Sequence, residues 1–107
     1  MKTLEQFKVA YKEILTQPRS SDERKLRKAQ KTACKLREAI RWIELGVTEE
    51  SLRKQMAEVH RRLRVLDERF EPSSEQTAET EYKAWRKKNG YADLKKQIAS
   101  IMWVLRY

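Results

Sequence analysis

Residues 26–70 read LRKAQKTACKLREAIRWIELGVTEESLRKQMAEVHRRLRVLDERF, and this stretch decides the fold. In its first half Leu26, Ala29, Ala33, Leu36, Ile40 and Ile43 recur at alternating steps of three and four. That spacing keeps one narrow side of a helix apolar, as the a and d positions of a coiled coil do. In the second half Leu52, Met56, Val59, Leu63, Leu66 and Phe70 repeat the pattern. Between them Gly46 stands just past a helix end, where a left-handed backbone is open to glycine. Thr48 then serves as N-cap, Glu49 and Glu50 suit the positive end of the next helix, and Val47 is placed to staple onto Leu52. Seams of matched length with so short a joint predict an antiparallel helical hairpin of residues 21–45 and 48–70, roughly 30 to 35 Å long. The small side chains of Ala29 and Ala33 leave a shallow groove in which a third helix can lie.

Outward from the hairpin, Leu4, Phe7, Tyr11 and Ile14 mark a short amphipathic helix within residues 1–16, stopped by Pro18. Ser20 and Glu23 stand at capping-box spacing before the hairpin. On the other side, residues 71–81 hold four acids and no Lys or Arg and read as an acidic linker. Ala78, Tyr82 and Trp85 mark a short helix ended by Asn89-Gly90, and a last helix runs from about Asp93 to Tyr107 with Leu94, Ile98, Ile101 and Leu105 on one face. Met102, Trp103 and Val104 widen the apolar surface of that helix, so it requires cover from the hairpin or from another chain. The expectation is one all-α domain: N-terminal helix (1–16), hairpin (20–70), acidic linker (71–81) and C-terminal helical pair (82–107).

Composition agrees with that architecture. Two glycines, two prolines and 38 % charged residues belong to helices with solvated faces rather than to a turn-rich β-protein. The formal charge of +9 favours a polyanionic partner, whether nucleic acid, an anionic membrane surface or an acidic protein face. A lone Cys34 excludes an intrachain disulfide and a cysteine-based zinc cluster, and fits a reducing compartment. The opening residues lack the apolar run of a signal peptide, and the longest apolar stretch, residues 101–105, is far too short for a bilayer. The reading is a cytoplasmic protein without a membrane partner.

Two constellations carry candidate chemistry. On the outer side of the hairpin's first arm Arg24, Lys28, Lys31 and Lys35 form a ridge at 4-3-4 spacing, flanked by Arg27 and Arg41 and ending near Trp42. Arg27, Arg53, Lys54, Arg62 and Lys83 each follow a glutamate by four residues, the arrangement of ordinary helical ion pairs. The ridge, by contrast, has only Glu38, three residues beyond Lys35, to screen it. One cation per helical turn suits a sugar-phosphate backbone, where counterion release gives sequence-independent affinity; the plain alternative is a solvated helix face. The second constellation, residues 82–91, interleaves Arg86, Lys87 and Lys88 with Trp85 and Tyr91, so that rings could stack on unpaired bases while cations hold phosphates. The same rings sit at core spacing, and cations are favoured in the last turn of any helix. The helix-turn-helix order here lacks a polar recognition face.

His60 lies among Arg61, Arg62 and Arg64, which disfavour its cationic form and repel a metal. Cys34 sits near Lys31 and Lys35 with no histidine paired to it. No phosphate loop, HExxH pair or hydrolase elbow is present, and the reading assigns no catalytic residue, no metal and no cofactor. The expected function is a non-enzymatic, nucleic-acid-associated protein contacting DNA or RNA without sequence preference. The alternative is a protein-interaction, assembly or regulatory module whose apolar surface at Trp103, Val104 and Tyr107 docks on a partner or a second copy, and an acidic protein surface is the alternative partner for the basic charge.

Overall fold

The computed structural model describes all residues Met1–Tyr107. The chain is all-helical, 78 % helix with no strands, in five helices: α1 (Leu4–Thr16), α2 (Glu23–Glu44), α3 (Glu49–Arg69), α4 (Ala78–Lys88) and α5 (Tyr91–Arg106). The two long helices α2 and α3 have matched lengths of 22 and 21 residues. No helix is long and apolar enough to cross a membrane.

The α2–α3 joint forms as the sequence requires. Gly46 adopts φ +93, its amide donates to the Ile43 carbonyl at 3.0 Å, and the Val47 amide donates to that of Trp42 at 2.9 Å. This pair of bonds is a Schellman end, which satisfies carbonyls the helix would leave open. Thr48 and Ser51 then cap α3 reciprocally: the Ser51 amide donates to Thr48 Oγ1 at 3.1 Å and the Thr48 amide to Ser51 Oγ at 2.9 Å.

The helices group into two compact units, Met1–Ser51 with Trp103–Tyr107, and Leu52–Met102. In the first, α1 packs on α2. Lys8 reaches Glu44 at 3.7 Å, while Ile14 and Leu15 share a groove with Leu26, Ala29 and Ala33, so the two helices run antiparallel and α1 takes the place beside the alanines. Phe7, Leu36 and Ala39 are completely buried. In the second unit Val59, Leu63, Tyr91 and Ile98 form a core against which Met56, Leu94 and Met102 pack. There α4 is fastened to α3 by the Tyr82 hydroxyl, which donates to Asp67 Oδ1 at 2.5 Å, and by the Trp85 indole N–H, which donates to the Leu66 carbonyl at 3.2 Å.

Several boundaries and faces differ from the sequence reading. The N-cap of α2 is Asp22, whose carboxylate accepts from the Arg24 amide at 2.9 Å; Ser20 instead accepts from the Asp22 amide at 3.1 Å. Residues 78–81, assigned to the linker, form the first turn of α4. Glu81 accepts from the Ser73 amide at 2.9 Å and from the Ser73 hydroxyl, and these bonds, the hydroxyl's first, hold its carboxyl below the usual range. The last helix begins at Tyr91 rather than near Asp93, and its buried face contains Val104 at 3 % exposure, whereas Leu105 is only half-buried.

Candidate nucleic-acid interface

The ridge keeps its availability in the folded chain. Arg24, Lys28, Lys31 and Lys35 are all exposed, and none lies within ion-pair distance of a carboxylate. From the first to the last of them the helix rises about 16 Å. Arg24 stands in the first turn of α2, where a cation is disfavoured by the helix dipole, so local helix stability does not account for it. Lys35 Nζ sits 5.4 Å from the centroid of the Trp103 ring, which fixes that end of the row without neutralising it.

Cations placed four residues after a glutamate are engaged as that spacing requires. Arg27 meets Glu23 at 2.8 Å, Arg62 meets Glu58 at 3.5 Å and Lys83 meets Glu79 at 3.7 Å. Arg61 donates to both oxygens of Glu58 at 3.1 and 2.6 Å, and that hydrogen bonding is the main reason the Glu58 carboxyl lies below its ordinary range. The arginine-rich run after His60 is thereby partly offset on its own helix. Arg41 is exposed and has no carboxylate partner; Arg27, the other flanking cation, is a partner of Glu23 first.

The C-terminal cluster is held quite differently. The Arg86 guanidinium carbon lies 3.9 Å from the Tyr91 ring centroid and 5.4 Å from that of Tyr82. Tyr91 is only 9 % exposed and belongs to the core. Trp85 is half-buried, bonded through its N–H, and packed near Phe70 with centroids 6.1 Å apart. The two rings offered for base stacking are thus occupied within the chain, while Lys87 and Lys88 remain exposed.

Of the residues set aside for a protein partner, Val104 is core. Trp103 and Tyr107 stack on each other at 4.8 Å, and Tyr107 stacks on Phe7 at 5.9 Å with Lys2 Nζ 4.5 Å from its centroid. The surplus apolar surface of the last helix is therefore largely consumed in its own unit.

Trp42 was read from the sequence as the end of the ridge but not as part of a site. It is half-buried and, together with Cys34, Arg37, Glu38, Arg41 and Leu45, lines an open concavity on α2. Its place seven residues beyond Lys35 was the available signal, since two helical turns return to nearly the same side. No protein-family model matches the chain, and neither the curated proteins nor the solved structures contain a match.

Proposed function

We propose that this chain is a non-enzymatic nucleic-acid-binding protein that grips the phosphate backbone with the exposed basic face of α2. The observation that carries the reading is the alignment of Arg24, Lys28, Lys31 and Lys35, exposed and without carboxylate partners, at one per turn along a single side of α2, whereas the cations placed four residues after a glutamate at Arg27, Arg62 and Lys83 are ion-paired. A rigid helix presenting one such group per turn contacts phosphates without needing to read bases.

Salt dependence tests it directly. Four phosphate contacts on duplex DNA give a slope of log affinity against log salt of about −3.6. Reversing Lys28 and Lys31 to Glu removes two contacts and should bring the slope to about −1.8, weakening all duplex sequences alike. A folded double variant that binds as tightly as the parent, or a parent that binds no nucleic acid at low salt, overturns the proposal and leaves the acidic-protein partner as the reading to pursue.

A further inference from the structure

The three tryptophans differ in what they touch. Trp85 donates its N–H to the Leu66 carbonyl and packs near Phe70, and Trp103 stacks on Tyr107 beneath Lys35. The half-buried Trp42 side chain has no hydrogen-bond, ring-stacking or cation partner in the chain. It stands over an open concavity of about 530 Å³ whose other lining residues are Cys34, Arg37, Glu38, Arg41 and Leu45. Leu45 is 73 % exposed, the most exposed large apolar side chain of the molecule. Arg37 and Arg41 are exposed and without a carboxylate partner. Glu38 is the one lining group that opposes a phosphate, and it can accept from the amino edge of a base.

A partly exposed indole without a stacking partner and an exposed apolar side chain beside two unpaired guanidinium groups are complementary to a flat, partly apolar ring joined to a negatively charged phosphate. We infer that Trp42 is a stacking platform for an unpaired nucleobase, with Arg37 and Arg41 on the adjoining phosphates. This inference rests on the nucleic-acid reading and deepens it: the ridge grips backbone of any form, and Trp42, roughly 10 Å further along the same helix side, selects strands with an unstacked base over uninterrupted duplex.

The test compares single-stranded (dT)12 with a blunt 12-base-pair duplex. Binding of (dT)12 to the parent should quench tryptophan fluorescence. Trp42→Leu, which keeps bulk but removes the aromatic face, should weaken (dT)12 binding about tenfold or more and leave the duplex within about twofold; Trp42→Phe should retain most of the affinity. Arg37→Glu with Arg41→Glu, both exposed positions, provides a second variant that tests the same site without removing an indole, and should also cost (dT)12 more than duplex. If Trp42→Leu and the arginine pair bind (dT)12 as the parent does while Lys28→Glu/Lys31→Glu loses both ligands, the stacking site is wrong and the ridge stands. If the parent binds neither ligand, the nucleic-acid reading fails and takes this inference with it.

Discussion

The basic face of α2 and the basic end of α4 have nearly the same ingredients, arginine and lysine beside tryptophan and tyrosine, yet the chain spends them in opposite ways. On α4 the Arg86 guanidinium lies on Tyr91, Tyr91 is in the core, and Trp85 is tied to Leu66 and Phe70. On α2 the cations from Arg24 to Arg41, apart from Arg27, lack carboxylate partners, and the half-buried Trp42 side chain has no hydrogen-bond, stacking or cation partner. Composition cannot separate the two regions, because a ring at core spacing and a ring on a binding face have the same chemistry. What separates them is whether a neighbouring element supplies a partner: α3 and the residue that follows it offer Leu66, Asp67 and Phe70 to α4, while on the outer face of α2 only Lys35 meets a ring, that of Trp103.

The comparison breaks first on stability. If the second region is structural, cutting its core should be costly and cutting the ridge should not. Leu63→Ala, in the core with Val59 and Tyr91, should lose about 2 to 5 kcal/mol in a denaturant melt, and Leu36→Ala the same in the other unit. Lys28→Glu/Lys31→Glu should stay within about 0.5 kcal/mol per site of the parent, as exposed substitutions do. A ridge variant that melts as early as Leu63→Ala would mean the α2 face is structural after all.

A smaller effect sharpens the contrast in binding. Lys87 and Lys88 are exposed but stand beside rings that are already occupied, so they can add charge without a stacking surface. Reversing both to Glu should weaken duplex binding by less than the Lys28/Lys31 pair does, and should leave tryptophan quenching by (dT)12 in place. Equal losses from the two pairs would remove the difference drawn between the two regions.

The elements that sequence spacing exposed are those fixed by local chemistry. Leu36, Leu52, Val59 and Leu63 are buried as their heptad positions require, and Gly46 takes the left-handed conformation that its place after the helix demands. The misread positions depend on partners distant in sequence or on choices among equals. Ser20, Ser21 and Asp22 are all competent caps, and only the path of the chain selects Asp22. Ala39 is completely buried although it lies off the predicted seam. Glu81 looked like linker charge, but its bonds to Ser73, eight residues back, have no counterpart in helical periodicity. At the candidate interface, spacing identified the unpaired ridge and placed Trp42 at its end, but which rings lack partners within the chain depends on tertiary contacts that spacing does not carry.

The smallest effect isolates a single bond in the structural region. The Tyr82 hydroxyl donates to Asp67, and that hydrogen bond to a carboxylate is the first cause of its pKa being raised from 10.0 to about 12, with desolvation and the Asp67 charge adding to it. Ionising the phenol removes the donated proton and sets two negative charges together. The neutral hydroxyl therefore contributes stability that is fully present below the ordinary tyrosine pKa and is lost as pH rises through about 12. In a tyrosinate absorbance titration, one of the four tyrosines should ionise near 12. Asp67→Asn should return it toward the ordinary range, since the amide keeps an acceptor oxygen but not the charge. Nucleic-acid binding below pH 9 should be unchanged in that variant, because neither residue belongs to the α2 ridge. A Tyr82 that ionises at the ordinary value of 10.0 would remove the Tyr82–Asp67 bond, and with it one of the two hydrogen bonds by which α4 is held to α3.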